Sequence, residues 1–279
     1  SMLIARGRAG GEAPERWVLE RGCEVEAVHR AYVEAGADAV TTCTFGGHPL
    51  RLARCGLDGR CAEVALRAVA LARASGARFV VGDLGPCGEY LPPVGHADPA
   101  ALEAGFAQLA GALATAGADA LLIETMSDRR EAAIALAAAR RAAPGLPVMV
   151  SLTFERRRRG FFTVMGDPLV ASLAALAEAG AAAVGANCTL ASPDLADAAR
   201  EARAALPGLA CPLVFQPNAG QPVLEAGAAR YAQAPEAFAA DLAQIAELGV
   251  GAVGGCCGTD PRFIATLARR LGRPAGAAP

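Results

Sequence analysis

One phrase recurs along the chain and constrains its fold more than any other feature. It reads Glu34-Ala-Gly-Ala-Asp-Ala-Val40, Thr115-Ala-Gly-Ala-Asp-Ala-Leu121, Glu178-Ala-Gly-Ala-Ala-Ala-Val184 and Leu248-Gly-Val-Gly-Ala-Val253. Each copy closes an amphipathic stretch with a glycine and then enters a short apolar run. Glycines at these points fit helix ends, where the left-handed conformation carries no Cβ penalty. The runs that follow are apolar on both faces, as parallel strands buried between helices must be. Strands are predicted over 38–42, 78–82, 119–124, 147–153, 182–187, 212–216 and 251–255. Helices are predicted over 25–35, 62–74, 99–116, 129–142, 168–179, 193–205, 235–248 and 261–271. Five of these helices begin at proline, which is favoured in the first helical turn.

Alternation of this kind predicts an α/β fold, a (β/α)8 TIM barrel with a weak first strand near Met2–Ala5. A doubly wound open sheet is the alternative, but no glycine-rich dinucleotide fingerprint follows the first strand. At 279 residues the chain matches one barrel, and no low-complexity linker divides it, so residues 1–279 are read as a single domain.

Composition narrows the chemistry. A net charge of −2 gives no electrostatic case for nucleic acid or an anionic membrane surface. No apolar run of about 18 residues is present, and the start does not read as a signal peptide. Nine cysteines without an export signal point to a reducing, cytoplasmic compartment with free thiols. All 26 basic residues are arginine, which excludes Schiff-base and P-loop mechanisms, since both need lysine. The three histidines, His29, His48 and His96, are too scattered for a histidine-rich metal site.

In α/β barrels the chemistry lies at the carboxyl ends of the strands. Here those ends read Thr41-Thr-Cys-Thr-Phe45, Gly82-Asp-Leu-Gly-Pro86, Ile123-Glu-Thr125, Asn187-Cys-Thr189, Gln216-Pro-Asn-Ala-Gly220 and Gly254-Gly-Cys-Cys-Gly258. Neighbouring side chains on a regular strand point to opposite faces, so Cys256 and Cys257 share a centre only where the backbone leaves that geometry. Gly254, Gly255 and Gly258 supply the freedom. Cys188, at the end of the sixth strand counting the weak first one, joins this pair from the eighth and completes a set of three. Thiolates select zinc over magnesium or calcium, and three protein ligands leave the fourth tetrahedral position open, the mark of a catalytic site. Cys23, Cys55, Cys61 and Cys211 read as small hydrophobes, while Cys43, Cys87 and Thr44 fall on the catalytic face. The run Glu155-Arg-Arg-Arg-Arg159 reads as a solvated loop, with an anion-binding rim as the alternative.

These stretches resemble the homocysteine S-methyltransferase family. The resemblance is carried by Tyr32-Val-Glu-Ala-Gly-Ala-Asp-Ala-Val40 with Thr44-Phe45, Leu84-Gly-Pro86, Leu122-Ile-Glu-Thr125, Gly185-Ala-Asn-Cys188, Pro217-Asn-Ala-Gly220 and Gly254-Gly-Cys-Cys-Gly-Thr259. They stand in family order across roughly residues 14–271. The resemblance implies a (β/α)8 barrel, zinc on Cys188, Cys256 and Cys257, and homocysteine sulfur at the open position. It implies that Glu124 binds the substrate's amino group and that Asn187 and Asn218 brace the metal loops. The implied activity is methyl transfer to homocysteine, giving methionine. The implied donors are betaine, S-methylmethionine, or a methyl-corrinoid or methylfolate partner. Phe161–Gly166 is expected as a loop over the pocket.

Two departures stand out. The family's first-strand motif, Asp-Gly-x-x-Gly-Thr, is not in this sequence, and the usual Thr-Asn-Thr-Phe reads Thr42-Cys-Thr-Phe45. They leave open a non-catalytic zinc-binding homologue, or a methyltransferase acting on another small thiol.

Overall fold

The computed structural model describes residues 2–225 and 228–273. Seven parallel strands make a single curled sheet, in spatial order β1 (Ala39–Thr41), β2 (Phe79–Leu84), β3 (Ala120–Met126), β4 (Val148–Leu152), β7 (Ala183–Ala191), β8 (Leu213–Asn218) and β11 (Ala252–Val253). Helices α3 (Gly22–Glu34), α5 (Cys61–Ala74), α6 (Pro99–Thr115), α7 (Arg129–Ala142), α8 (Leu169–Glu178), α9 (Ser192–Ala205), α10 (Pro235–Glu247) and α11 (Pro261–Arg270) connect or flank them. Among the described residues this is a barrel-like α/β arrangement of seven strands, one short of a (β/α)8 barrel. The glycines of the repeated phrase do what their position demands: Gly36, Gly117, Gly180 and Gly249 take φ of +96, +93, +90 and +74°.

The core lies between sheet and helices. Phe106, Phe154, Phe215 and Phe238 are its largest fully buried members, alongside Leu52, Leu84, Leu102, Leu109, Leu113 and Leu121. Each such side chain contributes roughly 1.5–3 kcal/mol relative to exposure. Strands β7 and β8 approach too closely for any side chain at Gly185, where a Cβ would lie 1.6 Å from the Val214 carbonyl oxygen.

Several local expectations are corrected. Met2–Ala5 is not a weak strand but a helical turn, α1. Its carbonyls accept from the amides of Arg6, Gly7 and Arg8, so the segment satisfies itself locally and lies along no strand. Two short helices, α2 (Pro14–Glu20) and α4 (Pro49–Arg54), were not foreseen, nor were two hairpins. The first, β5 (Glu155–Arg157) with β6 (Gly160–Phe162), takes in the start of the expected Phe161–Gly166 loop and buries Phe161 in the core. The arginine run stays exposed, on a hairpin in place of the expected loop: Arg156 pairs with Asp194 at 2.7 Å and with Asp197, and Arg157 pairs with Glu155. The second hairpin is β9 (Pro222–Glu225) with β10 (Ala228–Tyr231).

The sheet does not close on itself among the described residues. β1 pairs only with β2, and β11 only with β8. The two free edges flank a cavity of about 700 Å³ lined by Val40, Val81, Leu122, Met149, Val214 and Val253. Helices hold the two sides together instead. Tyr32 of α3 donates to the Thr259 carbonyl at 3.0 Å, and Arg273 beyond α11 pairs with Asp38 just before β1.

Candidate metal centre

At the carboxyl ends of β7, β8 and β11 the chain departs from regular strand geometry, and the departures gather three thiols. Strand β7 shifts register between Asn187 and Ala191, and Cys188 and Thr189 sit at φ of 60 and 51°. Left-handed backbone at a non-glycine residue costs about 1–3 kcal/mol and persists only where its surroundings enforce it. Here it turns the Cys188 thiol out of the strand's alternation. Strand β11 ends at Val253, so Cys256 and Cys257 lie in the turn beyond it, closed by Gly258 at φ +80°. A Cβ on Gly258 would meet the Tyr231 ring at 2.2 Å, so the same glycine lets β10 pack on the turn.

The result is a compact cluster. Cys188 and Cys257 sulfurs are 3.8 Å apart, Cys256 and Cys257 are 4.0 Å apart, and all three lie within 4.8 Å of one another. Thiolates on one tetrahedral zinc, each at about 2.3 Å, would stand roughly 3.8 Å apart. The cluster can therefore hold a metal ion, and its soft donors fit zinc. Hydrogen bonds from the Cys188 and Cys256 thiols hold Cys257 far below the usual thiol range, while contacts with Cys188 and then Cys257 push Cys256 up.

Asn187 ties this cluster to β4 and, beyond it, to β3. Its side-chain oxygen accepts from the Thr125 amide at 2.8 Å and from Ser151 Oγ at 2.6 Å. Its nitrogen donates to Thr125 Oγ1 at 2.7 Å and to Glu124 Oε2 at 3.3 Å, and lies 3.9 Å from Cys256 Sγ. Thr125, at φ 59°, is thereby clamped in a left-handed conformation just after Glu124. Asn218 accepts from the Cys257 amide at 3.1 Å, fixing the cysteine turn from the other side. Burial, followed by the nearby Cys257 charge, pushes Glu124 up to about 7.

The structure does not bring every face residue to the cluster. Thr44 is fully buried, bonded to Thr42 at 2.7 Å and to the Asp83 carbonyl at 2.7 Å. Cys43 packs against the buried cluster that holds Trp17, Val18 and Val25, and burial raises its thiol out of the reactive range. Cys87 is buried beside Glu131. Sequence reasoning passed over Asp83, Ser151, Thr125 and Tyr231. Asp83 had a visible signal, a charge closing an otherwise apolar strand; the others depend on backbone irregularities that no local pattern announces.

An open-sided α/β barrel with a three-thiol centre at its carboxyl rim defines the class. The family model for homocysteine S-methyltransferase matches residues 9–271, and the chain belongs to that family of methyltransferase enzymes. It is 34% identical over 261 residues to methionine synthase of Mycobacterium tuberculosis and 33% identical over 262 residues to that of Mycobacterium leprae. Those alignments cover 88% and 89% of this chain but 21% of each relative, so the chain spans about a fifth of the curated relatives it matches. Among solved structures, the metallated form of the homocysteine methyltransferase MmuM from Escherichia coli aligns with a TM-score of 0.78 and 30% identity. That alignment covers 96% of this chain and 92% of that one, and the apo form aligns at 0.72.

Proposed function

We propose that this protein transfers a methyl group to the thiol of homocysteine, giving methionine, with zinc held by Cys188, Cys256 and Cys257. The observation that carries the reading is the sulfur triangle, whose 3.8 and 4.0 Å edges match those of a tetrahedral zinc–thiolate site. Bound zinc supplies a Lewis acid that keeps a substrate thiol deprotonated at neutral pH. In the transfer the substrate thiol loses its proton and gains the methyl, and the donor leaves with the electron pair of the broken methyl bond. The chain's own residues do the positioning. The three cysteines fix the reacting end, Asn187 orients Glu124, and the Glu124 carboxylate receives the substrate's ammonium.

The donor is betaine, S-methylmethionine, or a methyl-corrinoid or methylfolate carried by a partner. The net charge of −2 and the absence, among the described residues, of a helix long and apolar enough to cross a membrane fit a small-molecule reaction better than one on nucleic acid or lipid. The open edge between β1 and β11 favours a second reading, a zinc-binding homologue without turnover. One assay separates the two: zinc-loaded and chelated protein, homocysteine, and the donor panel. Zinc-dependent methionine formation with any donor supports the enzyme. Stoichiometric zinc without turnover on any donor rejects it.

A further inference from the structure

The inner wall of the barrel carries a second carboxylate that the thiol centre does not use. On β2 and β3, adjacent and parallel, Asp83 stands opposite Leu122. Side chains two residues apart share a face. Val81 and Leu122 both line the inner cavity, so Asp83 and Glu124, each two residues further along, project to the same inner face nearer the carboxyl rim. With strands about 4.8 Å apart and a rise of about 3.3 Å per residue, their α-carbons lie roughly 8 Å apart, close enough for both side chains to reach one ligand atom.

Asp83 is 4% exposed, and its Oδ1 has no hydrogen-bond partner. Its main chain, by contrast, is pinned at both ends: the amide donates to Thr42 Oγ1 at 3.0 Å, and the carbonyl accepts from Thr44 Oγ1 at 2.7 Å. A buried acceptor left unmade costs about 1–3 kcal/mol, and native structures rarely keep one without cause. The other charges nearby are already engaged. Glu15 accepts from the Gly46 amide at 2.6 Å, and the Arg51 guanidinium donates to the Pro86 carbonyl at 3.2 Å and lies over the Phe45 ring. Burial and the Glu124 charge push Asp83 well above the usual carboxylate range, so the empty pair resists carrying two negative charges. A bound cation would relieve that strain.

We propose that Asp83 joins Glu124 in seating the substrate's primary ammonium group, and so strengthens the preference for an acceptor thiol that carries an amine. The proposal rests on the homocysteine reading and deepens it. A primary ammonium has N–H donors for both carboxylates at once. A quaternary ammonium has none, so the seat accepts the amine of the acceptor and not a trimethylammonium donor. Asp83 thereby sets specificity at the end of the substrate remote from sulfur.

The test is calorimetric binding of homocysteine and of 4-mercaptobutanoate, which keeps the thiol and carboxylate but lacks the amine, to zinc-loaded protein. Wild type is expected to prefer homocysteine by tenfold or more, the range of hydrogen bonds to charged groups. In Asp83→Asn that preference falls by tenfold or more while the affinity for 4-mercaptobutanoate stays within twofold; Glu124→Gln behaves alike. A preference unchanged in Asp83→Asn, or both ligands weakened equally, overturns the proposal. Wild type that binds homocysteine without preferring it overturns this proposal alone. Wild type that binds neither thiol overturns the homocysteine reading beneath it. Circular dichroism checks folding, and Asp83→Ser reads the same ratio should the asparagine variant not fold.

Discussion

Strand β11 serves two regions built on opposite terms. Its terminal turn places Cys256 and Cys257 in a cluster where side chains and backbone are braced from three strands. Its outer edge, facing β1 across the cavity, makes no strand pairing among the described residues. The rim is held by short polar contacts, Asn187 alone making four to Glu124, Thr125 and Ser151. The gap is spanned by helices, through Tyr32 to Thr259 and Arg273 to Asp38. Chemistry in this molecule is therefore specified more tightly than closure. Damage at the rim should abolish function while sparing the fold, and damage at the gap should do the reverse.

The largest effect is expected from the thiols. Cys188→Ala, Cys256→Ala or Cys257→Ala should each lose stoichiometric zinc after dialysis and drop turnover below detection, with the thermal unfolding of the metal-free protein unchanged. Metal analysis alongside the methyl-transfer assay checks this, and full activity in any of the three would remove that cysteine from the site. Next is Asn187→Ala. Groups that orient metal-site residues typically matter by about 10–100-fold in affinity or activity. A chelator competition for zinc and the KM for homocysteine should both move in that range, because Asn187 touches Glu124 and Cys256 together. A change confined to thermal stability would mark it as scaffold only.

At the gap the expected effect falls on stability and leaves the thiol centre alone. His29 lines the cavity, is 7% exposed, and has an Nε2 without a partner. Burial lowers its pKa from 6.5 to about 4. Between those values the unfolded chain binds the proton and the folded one does not. Stability linked to His29 is thus present above pH 6.5 and lost as pH falls toward 4, by about 3 kcal/mol in full. Urea unfolding at pH 4.5 and pH 7 should show this dependence in wild type and a flatter one in His29→Leu. Equal slopes in the two proteins would release His29 from that role.

Much of this was legible in residues alone. The repeated Ala-Gly phrase located helix ends and strand starts because glycine's left-handed freedom and two-sided apolarity are local properties. All seven strands of the sheet overlap their predicted positions, with edges moved by a few residues. Gly-Gly-Cys-Cys-Gly announced a turn that could aim two adjacent thiols at one centre. Less visible were Met2–Ala5, too short for its hydrophobicity to distinguish strand from helical turn, and the hairpins at Glu155–Phe162 and Pro222–Tyr231, whose pairing depends on what they pack against. Asp83 was in plain sight as a strand-end charge, yet its importance depends on having no partner, which only the surrounding contacts reveal.

By itself, then, the sequence determined the alternation, the direction of the strands and the glycine-flanked Cys256-Cys257 turn, since these follow from propensities and spacing within a few residues. Tertiary structure decided the rest. It set the left-handed backbone that turns Cys188 toward Cys257, the clamp of Asn187 on Glu124, the facing of Asp83 and Glu124, and the open edge between β1 and β11. Each joins segments separated by tens to hundreds of residues. The energies involved, a few hydrogen bonds and buried charges, arise only once the packed sheet has brought those segments together and excluded water.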